Sequence, residues 1–239
     1  MSTSPATWPN PLLWNNVLYI VSTPIGNLKD ITLRALEVLK SVDLIAAEDT
    51  RHTGVLCKEY GITARLTSYF DHNESGKARE LVNLLKEGRN IALVSDAGTP
   101  GINDPGYRLV SLAKAEGVAM AVIPGACAAI AALSLSALPT DRFAFYGFLP
   151  VKPGARRKKI LQAAEAGGTA IFYESPHRLL KTLKDIAEVM PEQIITVARE
   201  LTKKFEERLD GPAGTLLDHF TRHKPLGEFV ILFHCATAN

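Results

Sequence analysis

Short, wholly apolar runs alternate along this chain with longer stretches whose apolar residues recur at helical spacing. "VLYIV" at Val17–Val21, "DLIAA" at 43–47, "IALV" at Ile91–Val94 and "VAMAVI" at 118–123 have the length of strands. Continuous apolar runs bounded by turn formers are the pattern of strands covered on both faces, whereas a half-exposed strand alternates. Between them, "DITLRALEVLKSV" reads as an amphipathic helix with Asp30 as its N-cap, and further helices are predicted around Lys77–Lys86 and Tyr107–Glu116. Strands and helices taking turns at this spacing predict a largely parallel sheet.

The texture changes after "ACAAIAALSLSALP", a helix of small residues ending at Leu138-Pro139. "RFAFYGFLP" is an aromatic strand, and "VKPGARRKK" a Gly-Pro loop with a dense basic run. "TAIFYESPHRLLKTLKDIAEVM" is a strand that feeds a helix through Ser175-Pro176. "IITVARE" and "GEFVILF" supply further strands, separated by the acidic-basic segment "LTKKFEERLDGP". The expected organisation is a flexible N-terminal arm over 1–16, an N-terminal α/β domain over 17–139 and a C-terminal α/β domain over 140–239.

Composition narrows the class. With 239 residues, 46% of them apolar, the chain can bury one large core or two smaller ones. A formal charge of only +2 means that any affinity for nucleic acid must come from local clustering. Three cysteines, Cys57, Cys127 and Cys235, are odd in number and far apart, which argues for a reducing compartment rather than a disulfide framework. The first sixteen residues lack the basic start and apolar core of a signal peptide. The most membrane-like region, 119–138, is broken by Pro124-Gly125 and falls short of the roughly 20 residues a span needs. The expectation is a cytoplasmic protein with no membrane partner.

Several chemistries drop out. "STPIGN" holds one glycine where a dinucleotide fingerprint needs three, and neither a P-loop nor a G-x-S-x-G elbow occurs. His219 and His223 stand four apart with no acidic residue between them and read as helix-surface histidines, so no metal is expected. Three Gly/Pro strand-exit loops remain, at 24–27, 95–106 and 124–128. In the longest, Gly98, Gly101 and Gly106 allow unusual φ, Pro100 and Pro105 fix it, and Asp96 and Asp104 can close local turns. The carboxyl ends of parallel strands share one edge, so these loops are expected to converge on a ligand crevice.

Seven ordered motifs carry a resemblance: "YIVSTPIGNLKDIT", "EDTRHT", "SDAGTPGINDPG", "IPGACAAIAALSLSALPTDRF", "FYESPHRL", "ARELTKKFEE" and "GEFVIL". Together they resemble the RsmI family of bacterial small-subunit rRNA (cytidine-2'-O)-methyltransferases, within the tetrapyrrole methylase superfamily, over about 17–233. The resemblance implies a two-domain α/β fold, with a largely parallel N-terminal sheet, a mixed C-terminal sheet and S-adenosylmethionine in the cleft between them. It also implies a homodimer and small ribosomal subunit RNA as partner. It puts the cofactor against Pro24, Ser95, Asp96, Ala97, Gly98, Cys127 and Ala128, with Glu174 and Leu201 closing over it. Longer family members continue past "GEFVIL", whereas this chain ends six residues after Phe233, which bears on substrate recruitment.

Methyl transfer from a sulfonium to a ribose hydroxyl is one displacement, helped by a base or by charge that stabilises the developing alkoxide. Glu48, Asp49, Arg51, Arg199, Glu200 and Lys203 are the candidates, with Lys203 or Arg199 favouring the alkoxide and a carboxylate taking the proton. Either group can equally be a surface ion-pair cluster. His72 and Asn73 are candidates for ribose or phosphate, the alternative being a polar helix-start loop. Lys152, Arg156, Arg157, Lys158 and Lys159, beside the aromatic strand, are candidates for an RNA backbone, the alternative being a solvated helix start. Two other functions compete: a methylase of a porphyrinoid or other small molecule, and a ribosome-assembly protein without catalysis.

Overall fold

The computed structural model describes residues 16–236, so residues 1–15 of the expected arm lie outside the described residues. The chain forms two compact units that divide between Ala126 and Cys127, ahead of the boundary expected at Thr140.

The first unit is built on β1 (Val17–Val21), α1 (Leu33–Ser41), β2 (Leu44–Ala47), α2 (Thr50–Tyr60), β3 (Arg65–Ser68), α3 (Glu74–Lys86), β4 (Ile91–Val94), α4 (Tyr107–Ala115) and β5 (Ala119–Ile123). Its five strands run in the order β3-β2-β4-β1-β5, all parallel. The alternation hidden inside the apolar runs now has a meaning. Val17, Tyr19, Val21, Ile45, Ala47, Ala92 and Val94 face one layer with Ala35, Val38 and Leu39 of α1 and Leu56 of α2. Leu18, Ala46, Ile91 and Leu93 face the other with Leu81, Val82 and Leu85 of α3 and Leu109 of α4. Each fully buried Leu, Ile or Val contributes about 1.5–3 kcal/mol, which is what commits these runs to a doubly covered sheet.

Two local expectations change. α1 is capped by Thr32, whose hydroxyl accepts from the Ala35 amide at 3.1 Å, while Asp30 ends a short 3-10 turn over Leu28–Asp30 capped by Asn27. α2, which the apolar pattern does not announce, follows β2 directly because Asp49 caps it. Thr50, Thr53 and Gly54 are poor helix formers, so tertiary burial of Thr53, Leu56 and Cys57 holds this helix rather than propensity.

The second unit contains α5 (Ala128–Ser136), β6 (Phe143–Phe148), α6 (Pro153–Glu165), β7 (Gly168–Glu174), α7 (Leu179–Val189), β8 (Ile194–Arg199), β9 (Glu207–Pro212), α8 (Ala213–Arg222) and β10 (Phe229–Cys235). The strand order is β6-β7-β10-β8-β9, with β6 parallel to β7 and the remaining pairs antiparallel, so the sheet is mixed as expected. Phe172, Phe229, Ile231, Phe233, Ile195 and Val197 bury one face against Ile160 of α6, Leu183 and Ile186 of α7 and Phe220 of α8. α5 packs on β7, β8 and β10, and the Ala129 amide donates to the Tyr173 hydroxyl at 3.1 Å. That packing assigns the small-residue helix to this unit. "VKPGARRKK" is the start of α6, with Pro at its first turn, rather than a loop. Among the described residues no helix is long and apolar enough to cross a membrane.

Candidate functional site

The carboxyl ends of β1, β4 and β5 bring their loops together within the first unit. Thr23 and Gly98 exchange backbone hydrogen bonds at 2.8 and 3.1 Å, the Ser22 amide donates to the Ile123 carbonyl at 3.2 Å, and the Thr99 hydroxyl donates to the Ala126 carbonyl at 3.1 Å. The Thr23 hydroxyl donates to the Ser95 carbonyl at 3.1 Å, and the Ser22 and Thr99 hydroxyls are 2.9 Å apart. Gly98 has φ +89°, a backbone conformation that L side chains rarely adopt, so it is this conformation, rather than a lack of space beside Ile25 Cγ2 and the Ala126 carbonyl oxygen, that favours glycine at the crossing. Pro24 and Ser95 are buried, whereas Ala97, Pro124 and Gly125 are exposed along the rim.

Beside these loops, carboxylates collect at the exits of β2, β3 and β4. The Asp96 carboxylate accepts the Asp49 amide at 2.9 Å, and the Glu48 carboxylate accepts the Asp96 amide at 3.5 Å. Burial, reinforced by the Asp96 charge and by Asp71 and Asp49, raises the Glu48 carboxyl above its ordinary range. Asp104, which the sequence offered only as a turn former, is pushed up to about 6 by burial and then by Glu48. Asp49 goes the other way. It caps α2, its carboxylate takes the Arg51 side chain at 2.6 Å, and that hydrogen bonding holds it well below the usual carboxylate range. Three neighbouring carboxyl groups therefore differ in readiness to take a proton, because one is bound to a guanidinium and two are not.

The polar loop after β3 is more structural than expected. Asn73 Oδ1 accepts the Phe70 amide at 2.9 Å and its Nδ2 donates to the Ser68 carbonyl at 3.2 Å, so the side chain closes the turn into α3. His72 is exposed, edge-on to Phe70 at 6.3 Å between ring centroids.

In the second unit, Cys127 and Ala128 are half-buried at the start of α5. Glu174 is buried at the end of β7, where its carboxylate accepts the Thr182 hydroxyl at 2.6 Å and the Ser175 amide at 2.9 Å and pairs with Arg178. This carboxylate anchors the Ser175-Pro176 turn to α7. Arg199 ends β8, and Glu200, Leu201 and Lys203 follow it in the connection to β9. Arg199 pairs with Glu207 at 3.2 Å, and Lys203 holds Glu200 at 2.9 Å and Glu228 at 2.8 Å. Burial pushes Glu200 up, but the Lys203 ammonium and the Glu228 amide outweigh it and leave the carboxyl lowered.

The basic run is split by helical periodicity. Arg156 falls on the inner face of α6 with Ile160 and Ala163, is 3% exposed, and donates to Asp185 at 2.5 Å. Arg157 is shared between Asp185 at 3.3 Å and Glu188 at 2.9 Å, and Lys159 lies 4.7 Å over the Tyr146 ring. The expectation that all five cations face an RNA backbone is therefore corrected for Arg156, whose charge is sealed inside the unit. Lys152 and Lys158 are exposed.

Residues 17–217 match the family model described as Tetrapyrrole (Corrin/Porphyrin) Methylases. The chain belongs to this tetrapyrrole methylase family. It is 57% identical over 201 residues to "Ribosomal RNA small subunit methyltransferase I" of Escherichia coli O157:H7, covering 84% of this chain and 70% of that protein. A Vibrio cholerae protein of the same name is 51% identical over 221 residues, covering 91% of this chain and 77% of its own length. The solved structure of diphthine synthase superposes with a TM-score of 0.69 at 15% identity, over 93% of this chain and 91% of that one, and so supports the fold alone. The resemblance read from the seven motifs is thereby upheld.

Within this methylase, Asp104 is a costly residue. Its folded pKa of about 6 exceeds the value in an unfolded chain, so the unfolded state deprotonates first and stability is lost as pH rises from about 4 to about 6. Asp104→Asn is expected to raise the melting temperature at pH 7 and to leave it unchanged below pH 4, as thermal unfolding at the two pH values would measure. Equal melting temperatures at pH 7 would contradict the raised pKa.

Proposed function

We propose that this methylase transfers the methyl group of S-adenosylmethionine to the 2'-hydroxyl of a cytidine in small-subunit ribosomal RNA, acting in the cytoplasm as a homodimer. The observation that carries the reading is the 57% and 51% identity to the two rRNA methyltransferases over most of the chain.

The residues of the first unit suit the cofactor. S-adenosylmethionine joins a cationic sulfonium to a ribose diol and an adenine. The exposed residues Ala97 and Gly125 carry backbone amides and carbonyls, and the carboxylates of Asp96 and Asp104 are natural partners for a diol and for positive charge. Pro24, Ser95, Asp96, Ala97 and Gly98 are the proposed contacts of this unit. When bound, the cofactor supplies an electrophilic methyl group; the protein orients the nucleophile and disposes of its proton. A methyl group carried on sulfur would be supplied to the 2'-oxygen as an electrophile, with the sulfur as leaving group. Glu48 is the proposed acceptor of the hydroxyl proton, because its carboxyl is raised, whereas Asp49 and Glu200 are held low by cations.

The test is methyl incorporation from radiolabelled S-adenosylmethionine into small ribosomal subunits, purified small-subunit rRNA and a porphyrinoid, with the labelled nucleotide mapped. Label on a cytidine ribose is the expected result. Label on the porphyrinoid alone would overturn the reading.

A further inference from the structure

The connection from β8 to β9 is longer and more strained than a hairpin requires. The two strands are paired up to Arg199 opposite Glu207, so residues 200–206 are all loop, although antiparallel neighbours commonly close with two to five residues. Glu200 and Thr202 adopt φ of +49° and +67°, a left-handed conformation that is an outlier for a β-branched threonine. Such strain persists only where the surroundings impose it.

The surroundings do so here. The Glu200 amide donates to the Glu228 carbonyl at 3.0 Å, and the Glu228 amide returns a bond to the Glu200 carboxylate at 3.1 Å. Lys203 ties the Glu200 and Glu228 carboxylates together, and Glu206 accepts the Thr202 amide at 2.5 Å. Gly227 opposite takes φ +86°, a conformation that favours glycine, and a Cβ there would displace the Glu200 side chain from its place. Arg199 Nε and the Thr202 hydroxyl are buried without a hydrogen-bond partner among the described residues. The loop is thus pinned at its base at an energetic cost that its length does not explain.

At its crown the loop presents Phe205, 62% exposed, with the Lys204 ammonium 5.5 Å from the ring centroid. We infer that Phe205 is a stacking platform for an unpaired base of the RNA substrate on the ring face opposite Lys204, whose ammonium lies over the other face and meets the strand's negative charge. An exposed π face with a cation close by is the arrangement that holds single-stranded nucleic acid irrespective of sequence, and a 2'-hydroxyl can be reached only on a nucleotide that is unpaired or splayed. The assignment rests on the RNA reading of the preceding section and adds to it the residue that receives the splayed strand.

The experiment compares Phe205→Leu and Phe205→Tyr with the wild type. Binding of a single-stranded, cytidine-containing oligoribonucleotide and KM for small ribosomal subunits are measured, together with S-adenosylmethionine affinity as a control. Phe205→Leu keeps apolar volume and loses the π face, so RNA binding is expected to weaken about tenfold with cofactor affinity unchanged, and Phe205→Tyr to restore it. Wild-type RNA affinity and KM in Phe205→Leu would overturn the inference, since they would mean that no base stacks there. Failure of the wild-type protein to methylate small-subunit RNA would instead overturn the proposed function, so the two failures are separable.

Discussion

Glu48→Gln is expected to lower turnover in RNA methylation by about 10²- to 10⁴-fold, the usual contribution of a positioned proton acceptor, with little change in cofactor affinity. The amide keeps the size and an acceptor oxygen for the Asp96 amide, 3.5 Å away in the structure, but cannot take a proton at neutral pH. Wild-type activity should fall as pH drops through the raised pKa, because burial and Asp96 favour the protonated carboxyl, which is no longer a base. The Glu48 charge also helps to push Asp104 up to about 6, so loss of that charge eases the ionisation of Asp104. Glu48→Gln should flatten the acidic limb. A pH–rate profile with cofactor binding measured alongside decides the matter, and a variant with wild-type turnover would move the proton elsewhere.

Asp185→Ala is expected to destabilise the protein by about 3–5 kcal/mol, because it leaves a buried guanidinium without its counter-charge. Arg156 and Asp185 are both almost fully buried and meet at 2.5 Å, and Arg157 adds a second cation at 3.3 Å. The damage comes from the orphaned charge rather than from a large favourable contribution of the pair. The double variant Arg156→Met, Asp185→Leu should therefore recover much of the loss, although neither single variant does. Urea unfolding followed by circular dichroism would read both effects. An additive double variant would show that the two side chains do not act as a pair.

Much of the architecture was legible because burial on both faces leaves a continuous apolar run, and "VLYIV" and "IALV" are strands in the structure. The Gly/Pro wording of the loops likewise announced turns, and Gly98 takes a positive φ that favours glycine. α2 was hidden, since Thr50, Thr53 and Gly54 carry no helical preference and the element is held by what covers it. The helix of small residues before Pro139 lies in the second unit, past the division between Ala126 and Cys127: small residues suit close packing on any sheet, and only the contacts with β7, β8 and β10 choose the partner.

Charge was least legible. Arg156 and Lys158 stand two apart in one basic run, yet helical periodicity buries the first against Asp185 and exposes the second. Asp49 and Asp104 are the same residue type, but one is held low by Arg51 and the other pushed up by burial and Glu48. By itself the sequence determined the strand runs, the strand-exit turns and the family, because local conformational preference and ordered motifs are properties of neighbours along the chain. Only the tertiary structure decided which charges are paired, which carboxyl can take a proton and which loop is held under strain, because desolvation and counter-charge depend on residues that are distant in sequence.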